Sequence, residues 1–190
     1  MKKAIIIHGW GANPESNWFQ SVGNSLKDQG FQVEIPEMPN TDTPEINAWV
    51  NKLIELAPKP NRETYFIGHS IGCQTILRYL ESLKGAVQVG KIVLVAPFFT
   101  LQNLEDRESK RITTPWLETP INFEKVKIHL SNMTCIFSDN DPFVSLSEKE
   151  IFKALFNAKV IVEHNKGHFT SGDGFTDFPL VVKEITYIKD

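Results

Sequence analysis

Cysteine is scarce in this chain: Cys73 and Cys135 are the only two among 190 residues. They are too few and too far apart for a disulfide framework, and their apolar surroundings read as reduced, buried thiols in a reducing compartment. Charge of one sign is also missing. Lys plus Arg number 20 and Asp plus Glu 23, a net charge of −3 with histidine neutral, and no block of basic residues occurs. That balance lacks the footprint expected of a nucleic-acid or anionic-membrane partner. Long apolar runs are absent too. The run after Lys2-Lys3 is Ala4-Ile5-Ile6-Ile7, cut off by His8-Gly9-Trp10-Gly11, whereas a secretory apolar region needs roughly 7–15 residues and a membrane span about 18. The chain therefore reads as soluble and cytoplasmic.

With 41% hydrophobic and 23% charged residues, the composition is that of a globular protein, and the length suits one domain spanning residues 1–190. Short β-branched runs alternate with segments of helical period. The expected strands are Lys3–His8, Phe31–Ile35, Thr64–Gly68, Lys91–Ala96, Met133–Ser138 and Lys159–His164, each apolar through its middle as in parallel strands covered on both faces. The expected helices are Ser16–Gln29, Glu45–Leu56, Ile71–Leu83, Ser145–Leu155 and Asp177–Ile188. Gly30, Pro58, Gly85, Gly90 and Pro142 fall where these elements should stop. The rhythm predicts a three-layer α/β/α sandwich around a six-stranded, mostly parallel sheet. Its chemistry should gather at the carboxyl ends of the strands.

Four polar clusters occupy those ends: His8-Gly9-Trp10-Gly11, Gly68-His69-Ser70-Ile71-Gly72, Ser138-Asp139-Asn140-Asp141-Pro142, and His164 to His168. The pattern Gly68-x-Ser70-x-Gly72 between a strand and a helix is the context of a nucleophile elbow, in which a serine sits on a strained turn and its neighbours must lack bulk. The Ile71 amide, at the helix start, is then placed to donate to a developing oxyanion. A plain Gly-Ser turn feeding a helix is the bland alternative. It would leave the acid and base candidates downstream without a role.

In the order Ser, Asp, His, these clusters resemble the α/β-hydrolase superfamily over nearly the whole chain. The short length, the first strand opening into His-Gly-Trp-Gly, and Ser-Asp-Asn-Asp-Pro-Phe-Val are similar to the small serine hydrolases grouped with retinoblastoma-binding protein nine and bacterial YdeN-type proteins. The resemblance implies a trimmed fold without the two antiparallel strands that open larger hydrolases, and carboxylesterase-like activity on a small ester or amide. The retinoblastoma-binding motif Leu-x-Cys-x-Glu is absent, so that partner is not implied.

A serine hydroxyl needs a base within hydrogen-bond reach, and the base needs an orienting carboxylate. His168, in the loop after the last strand, is the expected base. His164 reads as a cap or core residue, His69 as pointing away from Ser70, and His129 as solvated in a charged helical segment. A metal at His164-x-x-x-His168 is not expected, because the pair falls on strand plus loop. Asp141 is the expected acid: Pro142 fixes the turn after it, and the family's acid precedes Pro here. Asp139 reads as a turn former. The Trp10 amide, with Gly9 as alternative, is the second expected oxyanion donor. No phosphate-loop or dinucleotide signature is present, so no cofactor is implied.

Residues 97–120 break the alternation and read as a cap or lid excursion, whose run Glu105 to Arg111 interleaves opposite charges as a solvated helical face does. Trp10, Phe98, Phe99, Trp116, Phe143 and Phe169 are candidates for an apolar acyl pocket. Two other functions fit the same residues: a non-catalytic protein-interaction module on this fold, and an acyltransferase using the same triad with an acceptor other than water.

Overall fold

The computed structural model describes residues 1–104 and 106–187. Its strands are β1 (Lys3–Ile7), β2 (Gln32–Glu34), β3 (Thr64–His69), β4 (Lys91–Val95), β5 (Asn132–Ser138) and β6 (Lys159–Glu163). They form one sheet in the order β2-β1-β3-β4-β5-β6, and every neighbouring pair is parallel. The helices are α1 (Phe19–Asp28), α2 (Ile46–Leu56), α3 (Ile71–Ser82), α4 (Arg107–Glu118), α5 (Phe123–Lys127), α6 (Glu148–Phe156) and α7 (Pro179–Thr186). Among the described residues, no helix is long and apolar enough to cross a membrane.

Alternation along β3 shows how the layers arise. Phe66 packs on Tyr79 of α3, whereas His69 lies against Phe19 of α1, so odd and even residues meet helices on opposite faces. Helix α1 packs against α7, while α2 and α5 pack against α3. The interior strands carry buried Ile, Val and Leu on both sides, and β6, at the edge, is only half-buried. The chain leaves β1 toward β2 and returns across it to β3. The carboxyl ends of β1 and β3 therefore face a switch in strand order, where open α/β sheets hold their sites.

The stretch after β4, expected to be a cap or lid excursion, carries α4, and α5 follows it. Asp106 caps α4 by accepting from the Ser109 amide at 2.7 Å, and Ile112, Thr113 and Trp116 form its buried face. Arg107, Glu108, Lys110 and Arg111 are exposed, as the interleaved charges implied. His129 is corrected: it is fully buried, because the segment after α5 pairs with the chain before β4, its Nδ1 lying 2.6 Å from the Val87 carbonyl oxygen and its own carbonyl accepting the Val89 amide at 3.0 Å. The expected last helix ends at Thr186, and residues 188–190 lie outside the described residues.

Helix α3 approaches β1 so closely that a Cβ on Gly72 would sit 2.3 Å from the Ile7 carbonyl oxygen and 2.8 Å from that of His8. No side-chain rearrangement relieves a clash with backbone. Gly72→Ala should therefore lower stability by about 3 kcal/mol or abolish soluble expression. Gly172→Ala, whose Cβ meets nothing nearer than 3.5 Å, should change little. Denaturant titration of both variants checks this, and equal stability would contradict the close approach.

Candidate active site

Ser70 occupies the turn between β3 and α3 with φ 53° and ψ −121°, a conformation that L-residues avoid. Two hydrogen bonds hold it there. The Ser70 amide donates to the Val95 carbonyl at 3.0 Å, and the Cys73 amide donates to the Ser70 carbonyl at 2.9 Å. A Cβ on Gly68 would fall 2.9 Å from the Cys73 amide nitrogen, so the strand can enter this turn only with glycine at that position. The Ser70 hydroxyl is thereby presented above the sheet.

His168, from the loop after β6, places Nε2 3.0 Å from Ser70 Oγ and Nδ1 2.7 Å from Asp141 Oδ2. The Asp141 side chain is 1% exposed and that of His168 12%. Asp141 Oδ1 accepts the Phe143 and Val144 amides at 2.9 and 3.1 Å, so the carboxylate is fixed by its own turn while Oδ2 faces the imidazole. A proton on Nδ1 satisfies Asp141 and leaves Nε2 to accept from the Ser70 hydroxyl.

The loop bearing His168 is fastened to the loop after β5 by consecutive short side chains. The Lys166 amide donates to Ser138 Oγ at 3.0 Å, and the Gly167 amide donates to Asn140 Oδ1 at 2.8 Å. Asp139 accepts from the Asn165 amide at 2.8 Å and pairs with His164 Nδ1 at 2.6 Å. These contacts hold the Asp139 carboxyl below its usual range, the Asn165 amide contributing most. Asp139 thus joins the two loops while Asp141 meets the imidazole, and His164 is exposed. Asp173 adds a further tie by accepting the His168 and Thr170 amides at 3.0 Å. Burial works to raise its carboxyl, but those bonds and the Thr170 hydroxyl outweigh it and hold it low. The sequence places Ser138 and Asn140 in a polar cluster but gives neither them nor Asp173 a role. A run of short polar side chains after a strand was the available signal, and it also describes an ordinary turn.

Trp10, Ser70 and Ile71 line the same cleft, and the Trp10 and Ile71 amides donate to no acceptor among the described residues. The Trp10 indole is engaged elsewhere, donating to the Asp42 carbonyl at 2.8 Å. Ser70 and His168 border a cleft of about 390 Å³, with Trp10, Phe98, Leu101, Leu104 and Phe143 among its walls. Three expected pocket residues lie elsewhere. Phe99 stacks on Phe152, Trp116 packs on Trp49, and the fully buried Phe169 stacks on Phe178. Aromatic character alone makes them candidates, whereas Trp116 and Phe169 are buried in the core and Phe99 packs, partly buried, against it. A larger cleft of about 640 Å³ lies around Lys2, Lys91 and Asn132, at the amino ends of the strands and remote from Ser70, and no histidine lines it.

Among the described residues, no group of three or more His, Cys, Asp or Glu is placed to hold a metal ion. Both cysteines are free and buried, and burial pushes their thiols well up, which removes them as nucleophiles. His8 is a buried neutral imidazole: Nδ1 lies 2.9 Å from the Gly9 carbonyl oxygen, the Met38 amide donates to Nε2 at 3.2 Å, and burial lowers its pKa.

The family model described as Serine hydrolase matches residues 4–187. This chain belongs to the serine hydrolase family. It is 31% identical over 190 residues to the protein named as hydrolase YdeN in Bacillus subtilis (strain 168), a match covering 97% of this chain and 95% of that one. The crystal structure of the Bacillus subtilis ydeN product superposes with a TM-score of 0.87 at 28% identity, covering 96% of each chain. The esterase domain of a Rhodothermus marinus protein shares the fold at a TM-score of 0.61 and 12% identity, covering 91% of this chain and 80% of that domain.

His69 is completely buried, and desolvation, reinforced by the nearby His168, lowers its pKa from 6.5 to about 3. Below pH 6.5 the unfolded chain takes up a proton at this residue that the native chain refuses. Its contribution to stability is full above pH 6.5 and falls as the pH drops toward 3, by about 1.4 kcal/mol per pH unit. Between pH 7 and 5 the wild type should lose about 2 kcal/mol more than His69→Gln, read by urea unfolding at each pH. Parallel losses in the two proteins would contradict the buried neutral imidazole.

Proposed function

We propose that this hydrolase cleaves a small ester or amide through an acyl-Ser70 intermediate, with His168 as general base and acid and Asp141 as its orienting carboxylate. The observation that carries the reading is the continuous relay from Ser70 Oγ through His168 to Asp141, at 3.0 and 2.7 Å, opening on an apolar-walled cleft. The shared fold of an esterase domain is consistent with an ester as substrate.

Ser70 Oγ attacks the substrate carbonyl carbon as His168 Nε2 takes the hydroxyl proton, and the carbonyl π pair moves onto oxygen. The negative oxygen is received by the Trp10 and Ile71 amides, which have no other acceptor among the described residues, so no existing hydrogen bond need break as charge develops. Asp141 steadies the imidazolium without itself taking the proton. Collapse of the tetrahedral species breaks the bond to the leaving alcohol or amine, which departs with the proton from Nε2. Water, deprotonated by the same nitrogen, then attacks the acyl carbon, and the second collapse releases the carboxylic acid and restores Ser70. The steps use only the chain, its substrate and water.

The cleft is large enough for a substrate of modest size. Trp10, Phe98, Leu101, Leu104 and Phe143 favour an apolar acyl group. Short-chain para-nitrophenyl esters are therefore suitable first substrates. Ser70→Ala should reduce their turnover to the uncatalysed rate with unfolding unchanged, and Asp141→Asn should cut kcat by a factor on the order of 10⁴. Substantial turnover by folded Ser70→Ala would overturn the acyl-serine reading.

A further inference from the structure

His69 precedes the nucleophile in the chain, yet its ring belongs spatially to the base. Its Nε2 lies 2.8 Å from the His168 carbonyl oxygen, 99 residues away in sequence, and the two rings are 5.0 Å apart. A carbonyl can only accept, so Nε2 carries the proton and donates. The amide of the same residue donates to Asp173 at 3.0 Å. Both main-chain polar groups of His168 are therefore gripped by side chains, one from β3 and one from the turn at residues 171–173.

The other ring nitrogen of His69 makes this arrangement informative. Nδ1 is buried with no hydrogen-bond partner, facing Gly9, whose added Cβ would come within 3.2 Å of it. Leaving a buried acceptor unsatisfied costs about 1–3 kcal/mol. The rings of Trp18 and Phe19 lie 6.0 and 5.9 Å away, an environment in which phenylalanine would pack without that cost. Packing alone gives no reason for histidine here, whereas the bond to the His168 carbonyl does. Resting on the acyl-serine reading above, we propose that His69 is a positioning residue: its Nε2–H holds the His168 main chain so that the base meets Ser70 and Asp141 together.

A neutral ring suits this role. When His168 takes the Ser70 proton, a second cation 5 Å away would oppose it. Burial and the neighbouring imidazole keep His69 uncharged, with its pKa lowered to about 3, so it donates a hydrogen bond without competing for the proton. The titratable groups acting on it are His168, His8 and Asp173. Asp173 opposes the lowering and is outweighed by burial and the two histidines.

Two variants separate positioning from packing. His69→Phe keeps a ring but removes the donor. His69→Gln keeps an amide N–H able to reach the Nε2 position. The proposal expects His69→Phe to lower kcat ten- to a hundredfold with KM nearly unchanged, and to slow fluorophosphonate labelling of Ser70 to match, while His69→Gln recovers most of both. A folded His69→Phe with wild-type kcat, or a folded His69→Gln as defective as His69→Phe, would overturn it. A measurement on the wild type decides the case if a variant does not fold: ¹⁵N-edited NMR of the histidine rings should show His69 neutral, with its proton on Nε2, from pH 7 to 5. A proton on Nδ1, or an imidazolium in that range, would refute the bond. Failure of the wild type itself to label or turn over ester would remove the acyl-serine reading and this one with it. That outcome differs from a defect confined to the His69 variants.

Discussion

The close packing of α3 against the end of β1 is the constraint from which the site follows. Gly72 allows the helix backbone to lie on the Ile7 and His8 carbonyls, and Gly68 allows β3 to turn into that helix without a side chain in the way. Ser70, between them, takes a backbone conformation that costs of order 1–3 kcal/mol and persists only because its surroundings over-determine it. The strained turn sets Ser70 beside Ile71, the first residue of α3, and both line the cleft in which the proposed reaction takes place.

In the proposed reaction the hydroxyl still needs a base, and His168, proposed for that part, sits on a loop, the least constrained kind of element. Here the loop is not left to itself. Ser138, Asp139, Asn140 and Asp141, four consecutive side chains at and just beyond the end of β5, each bond to residues from His164 to His168. Asp173 and His69 take the amide and carbonyl of His168 from two further directions. The imidazole is thus aimed by backbone restraints as well as by Asp141, the kind of supporting shell that preorganised sites require.

Much of this was legible in the sequence, for identifiable reasons. The interior strands β1, β3, β4 and β5 announce themselves because parallel strands buried on both faces are apolar through their middles, and Gly68-x-Ser70-x-Gly72 is legible because the turn leaves no sterically acceptable substitute. The exposed charges of α4 mark its outer helical face and say nothing of Ile112 and Trp116 beneath. Phe99, Trp116 and Phe169 were assigned to the cleft on residue type, but the direction of a side chain is set by packing partners distant in sequence, here Phe152, Trp49 and Phe178. His129 read as solvated for the same reason. The bond from His69 was beyond sequence reasoning, since its acceptor is a main-chain carbonyl that the fold alone brings near.

Belonging to the serine hydrolase family makes the chain a hydrolase, and the central claim is that Ser70 is its activated nucleophile. Intact-mass analysis after exposure to a fluorophosphonate tests it most directly, because the reagent bonds to an activated serine whatever the substrate. The account predicts one adduct on the wild type and none on folded Ser70→Ala. An unlabelled wild type, or an adduct that survives in Ser70→Ala, would contradict it.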